Sequence, residues 1–150
     1  MARIDLTTEI AAPPQLCFDL SRDVDFHASV AALRHRPVAG VTSGRLEVGE
    51  SVTWEARQFG LLMHMTSKIV AMEPPNGFTD EMQKGPFGRW RHSHTFTDSP
   101  RGTLMRDVID FASPLGPLGA LVDRLYMRRH MERFLVGLNA QLQLTAERRA

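Results

Sequence analysis

Two histidines one residue apart, His92 and His94, lie in a stretch where they alternate with polar residues and are bracketed by Trp90 and Phe96. A strand with period two puts these four side chains on one face. The same parity groups Phe78, Asp80 and Met82 upstream, and Met105, Asp107, Ile109 and Phe111 downstream. Each stretch sets a carboxylate among apolar neighbours, which is unusual for the inner face of a half-buried strand. Imidazole changes charge near neutral pH, and a carboxylate partner raises its proton affinity. Asp80, His92, His94 and Asp107 are therefore the candidate catalytic set.

Three chemistries compete for that set. The four groups can satisfy one another's hydrogen bonds, as most buried polar groups do. A histidine oriented by an aspartate can act as general acid or base, as in an aldol cyclisation or a dehydration. His-x-His with carboxylates can hold a metal. The pair lacks a firmly placed third ligand, so neither a metal nor another cofactor is expected. The sequence has no nucleophile elbow, phosphate-binding glycine loop or paired Cys-x-x-Cys motif. Its one cysteine, Cys17, sits between Leu16 and Phe18 and reads as a small buried filler, so no intramolecular disulfide can form.

These residues need strands to carry them and a surface to cover them. Residues 3 to 10 alternate, with Ile4, Leu6, Thr8 and Ile10 on one side. Pro13 and Pro14 end that strand and open a short helix to Leu20. Ser21 or Asp23 caps a second helix expected to reach Leu33, with Val24, Phe26, Val30 and Leu33 apolar and His27 given no chemistry. One strand with flanking turns is expected between Pro37 and Gly49. Strands follow over 51 to 58, grouping Val52, Trp54 and Ala56, and over 61 to 72, grouping Leu61, Met63, Met65, Ser67 and Ile69 with His64 on the wet side. Two strands flank a Gly-Pro turn between Gly77 and Phe96, and the last strand runs from Thr103 to Phe111.

Ser113 to Pro117 then introduces a long helix whose apolar spacing changes part-way. Leu118, Leu121, Val122 and Leu125 form one stripe, and Met127, Met131, Phe134, Leu138 and Leu142 form another. At about 100° per residue the two lie on roughly opposite faces. Either the helix bends or shifts near Tyr126, or its first turns pack on a different surface.

The order describes an α+β domain, residues 1 to 150, with a curved antiparallel sheet covered by a long C-terminal helix and two short helices after the first strand. A chain of 150 residues with 43% hydrophobic and 23% charged content matches one ordinary globular core. A net charge of +1 with scattered basic residues argues against nucleic acid as a partner. No run approaches the ~20 apolar residues of a membrane span, and MARIDLTTEI lacks a signal-peptide core. A cytoplasmic protein without stable membrane insertion is expected.

The stretch IDLTTEIAAPPQLCFDLSRD resembles the strand, proline and short helix that open the START-like superfamily, which includes birch-pollen-allergen-like proteins and the polyketide cyclase/dehydrase and lipid-transport proteins. GFTDEMQKGPF, HSHTF, GTLMRD and SPLGPLG resemble a bacterial branch of it. The resemblance implies the helix-grip fold, with a sheet of about seven strands around the C-terminal helix and an internal cavity. It also implies a hydrophobic or amphipathic small molecule, of lipid, polyketide or aromatic type, as partner. The expected lining is Trp54, Met63, Met65, Phe78, Met82, Trp90, His92, His94, Phe96, Met105, Phe111, Met131 and Phe134. A carrier or sensor is the first expectation and a cyclase or dehydratase using the His/Asp set the second. An interaction module, its basic stretch 124 to 133 meeting a protein or an anionic membrane, is the third.

Overall fold

The computed structural model describes residues 1–30 and 34–150. Strand β1 (Ala2–Ile10) is followed by helices α1 (Pro14–Ser21) and α2 (Val24–Ser29). Then come β2 (His35–Gly40), β3 (Ser51–Gln58), β4 (Leu61–Glu73), β5 (Gly77–Lys84), β6 (Arg89–Ser99) and β7 (Gly102–Ala112). The chain ends in α3 (Gly116–Val122), a π-helical segment (Asp123–Met127) and α4 (Arg128–Arg149).

All seven strands form one antiparallel sheet in the order β1-β7-β6-β5-β4-β3-β2. The hydrophobic alternation read along each strand is what fixes its register, because a one-residue slip would turn every apolar side chain outward. α4 lays Leu135, Leu138, Leu142 and Ala146 into the concave face. This is the helix-grip arrangement.

Local chemistry explains the short elements. Pro14 begins α1 where its missing N–H costs nothing. Asp23 caps α2, its carboxylate accepting from the Phe26 N–H at 3.0 Å. α2 is shorter than expected, since Val30 already has an extended backbone, and the predicted continuation to Leu33 lies outside the described residues. β2 begins two residues before Pro37 and meets β3 through an irregularity between Pro37 and Ala39. Irregularities also interrupt the β4–β5 pairing, whereas β5–β6 and β6–β7 run in unbroken register. Asp80 thus sits opposite His92, and His94 opposite Asp107.

The change of stripe in the last helix has a physical form. The π-helical segment spans Tyr126, and a wider turn shifts the angular register of everything beyond it. From the segment's last residue onward, Leu138 and Leu142 are buried and Met127, Met131 and Phe134 are half-buried. Before it, Leu118, Leu121, Val122 and Leu125 are all exposed rather than packed on a second surface.

Candidate functional site

A belt of polar side chains crosses the interior and divides the apolar core in two. On β4 Ser67 lies between Met65 and Ile69, and on β5 Asp80 lies between Met82 and Phe78. On β6 His92 and His94 lie between Trp90 and Phe96, and on β7 Asp107 lies between Ile109 and Met105. α4 completes it with Asn139, between Leu135 and Leu142. On each element the first-named flank belongs to the cluster around Phe111 and the second to the cluster around Phe18.

The belt is bonded within itself. His92 Nε2 lies 2.8 Å from Asp107 Oδ1, and Asn139 Nδ2 donates to Asp107 Oδ2 at 2.7 Å. His94 Nε2 is 3.0 Å from Asp80 Oδ2, and its Nδ1 is 3.1 Å from Asp107 Oδ1. Ser67 donates to Asp80 Oδ1 at 3.0 Å. Carboxylates only accept, so a ring with a carboxylate oxygen at each nitrogen carries both protons. Burial opposes charge on His94, but the hydrogen bonds to Asp107 and Asp80 outweigh it and hold the imidazole up at about 9. Burial likewise works against both carboxylates, and the histidines more than compensate. His92 and His94 hold Asp107, and chiefly His94 holds Asp80, below the usual carboxylate range.

The rings of His92 and His94 stack at 3.7 Å and 25°, and Phe78 stacks on the far side of His94 at 4.1 Å. Asp80, His92 and His94 also offer ligand atoms within 4.8 Å of one another. A cation there would have to displace the bond between His94 and Asp80 and splay the stacked rings until their lone pairs converge.

Asp80, His92 and His94 face a cavity of about 360 Å³, whose wall also includes Ser67, Trp54, Met63, Met65, Phe78, Trp90, Met131 and Phe134. Asp107 lies behind the two histidines, almost wholly buried. Four side chains expected on the wall are elsewhere. Phe96 and Met105 belong to the core around Phe18, and Met82 and Phe111 to the packing around Trp90, with Phe111 fully buried. The reason is curvature: inward-facing positions near β7 are filled by α4 and the helices after β1, so the open space lies toward β3 to β5.

All six histidines border this cavity. His27 and His35, given no role from the sequence, stand near Trp54, on which the His35 ring stacks at 4.3 Å. His27 donates through Nε2 to the Ser21 carbonyl at 2.7 Å, and His35 donates likewise to the His27 carbonyl at 2.8 Å. Burial presses His27 down to about 4 and lowers His35, so both are neutral near pH 7. Their parity carried no signal, because His27 comes from helix α2, outside the sheet, and His35 opens β2, a strand too short and irregular to show its period. His64 keeps the outward side expected of it, bonded to Glu55 at 2.9 Å, and reaches the cavity only as a border residue. Asn139 was invisible for a different reason: a single amide in an amphipathic helix looks like a surface residue until its turn is placed against β7. Cys17 is fully buried, and burial pushes its thiol up, away from nucleophilic use.

Solved structures share this architecture. The TTHA0849 protein of Thermus thermophilus superposes with a TM-score of 0.70 at 17% identity, covering 97% of this chain and 99% of its own. Protein CV1439 of Chromobacterium violaceum gives 0.73 at 15% identity over 98% and 99%. The major latex-like protein 151 of Panax ginseng gives 0.63 at 16% identity over 97% of each. At such identities the likeness speaks for the fold alone. No curated protein matches the chain. The family described as polyketide cyclase / dehydrase and lipid transport matches residues 1–143, and the chain belongs to that family.

Proposed function

We propose that this protein binds a hydrophobic or amphipathic small molecule inside the sheet, as a carrier or sensor. The observation that carries this reading is the cavity itself, about 360 Å³ walled largely by aromatic and methionine side chains, with the Asp80, His92 and His94 cluster on its wall. Such a volume is at the small end for ligand pockets, and flexible methionines adapt to irregular apolar shapes. An apolar tail would lie along Trp54, Met63, Met65 and Phe134, with a polar group directed to His92, His94 and Asp80. Native mass spectrometry of the purified protein, with solvent extraction of what it releases, is the test. A small molecule of defined mass supports the reading, and a bare polypeptide that also fails to take up apolar probes opposes it.

A second reading, a cyclase or dehydratase, is favoured by one observation. His92 Nε2 is the nitrogen that meets Asp107, so in the neutral ring the proton belongs there and Nδ1 is the acceptor, on a ring that borders the cavity. In that reading His92 Nδ1 takes a proton from the bound molecule, and Asp107 and Asn139 position the ring. Replacing His92 with Gln then abolishes turnover while binding persists. For a carrier the same change alters only affinity.

A further inference from the structure

The exposed apolar side chains are concentrated at one end of the molecule. Leu115, Leu118, Leu121, Val122, Leu125 and Tyr126 are each 41% to 75% exposed along α3 and the π-helical segment. Phe59, Leu61 and Leu62 are 52% to 60% exposed at the β3–β4 turn. The two segments adjoin, because Phe59 lies 6.0 Å from Tyr126 and 5.4 Å from His130 between ring centres. A contiguous apolar surface of this kind is rare on a monomer and marks a contact site.

Charge selects the occupant. Arg124, Arg128 and Arg129 stand exposed in the same turns, with Arg128 also 3.9 Å from the Glu132 carboxylate one turn on. Between Leu115 and Met131 the sole acid is Asp123, which is buried and spent on Ser113, from whose N–H it accepts at 2.9 Å. A stretch with leucines, a tyrosine and arginines, and no exposed carboxylate before Glu132, has the composition of a segment that lies in the headgroup region of an anionic bilayer. The surface is also the border of the cavity, since Phe59 and Met127 line both and His130, beside Phe59, lines the cavity. We infer that α3, the π-helical segment and the β3–β4 turn together form a peripheral docking face for anionic membranes, set where the cavity meets the bilayer. Docking of this kind leaves no segment across the membrane, in keeping with the absence of any described helix long and apolar enough to span one.

This inference goes beyond the cavity reading and does not need it, so protein stripped of any bound molecule is the test material. Sedimentation with phosphatidylcholine vesicles, with and without phosphatidylglycerol, reads the partition. Pelleting is expected only with the anionic lipid and is expected to fall as salt rises. Each of Arg124→Gln and Arg129→Gln is expected to weaken it about fivefold, and Leu121→Ser or Leu125→Ser about tenfold or more. Leu144→Ser, at an exposed leucine outside the face, should leave it unchanged. Thermal melts of the variants confirm that the fold is intact. Equal pelleting with neutral lipid, or none with either, overturns the inference. So does a dimer in sedimentation velocity that Leu125→Ser dissociates while vesicles remain unbound, which would make the face a contact between two copies of this chain.

Discussion

At the scale of single residues, His92 and His94 share a strand face and a carboxylate but are predicted to behave differently. His94 lies between two carboxylates, so His94→Ala leaves Asp80 and Asp107 charged and buried without it. Removing one partner of a buried pair costs about 3–5 kcal/mol, measurable as a lowered urea midpoint. His92→Ala removes one hydrogen bond from Asp107, which keeps those of His94 and Asn139. A smaller loss, about 1.5–3 kcal/mol, is expected. The cluster also sets the pH profile. His94 is raised from 6.5 to about 9, so its contribution is complete below about 6.5 and is lost as the pH climbs through about 9. Asp107 and Asp80 are depressed, so theirs is present above the ordinary aspartate range and is lost in acid. Denaturant titrations at several pH values should show stability falling on both sides, and His94→Gln should flatten the alkaline limb. Four of these groups were legible from parity alone, because strand alternation and unbroken register place Asp80, His92, His94 and Asp107 together. Ser67 was assigned to the inward face of its strand but not to the site. Asn139 was missed because helix periodicity gives a face and not the partner it meets.

At the scale of elements, the sequence carried the break in the last helix as two apolar stripes that no straight helix could bury together. The π-helical segment reconciles them by rotating α4 onto the sheet and leaving the α3 leucines outside. Asp123 anchors this junction through the Ser113 N–H and hydroxyl. Asp123→Ala leaves the partly buried Ser113 N–H and hydroxyl without their acceptor and is expected to cost about 1 kcal/mol, read by chemical denaturation. Faster amide exchange confined to α3 and the segment is expected with it, because the junction loses its tether without any change in the core. The strands were legible to within a residue or two wherever apolar and polar residues alternate, as in β1, β3 and β7. α2 and β2 were not, since a six-residue helix and a strand containing Pro37 leave too few periods to count.

At the scale of the whole molecule, a polar belt splits one core into two, and the cavity opens beside the belt between α4 and strands β3 to β6. The belt fixes where the polar end of a guest would lie, and the methionines and aromatic rings leave its apolar shape free. The overall plan was readable because order and periodicity admit few ways to cover a curved sheet with one long helix. The position of the empty space was not, and Met82, Phe96, Met105 and Phe111 were expected on a wall that ends before reaching them. A ligand site in that space is read directly by titration with a neutral apolar fluorophore, followed by its blue-shifted emission. One saturable site per chain is predicted, and Met131→Trp, which adds volume inside the cavity, should abolish it without lowering the thermal midpoint by more than a few degrees, as overpacking alone would do. Absence of saturable binding, or binding that Met131→Trp leaves unchanged, would contradict a ligand site within the sheet.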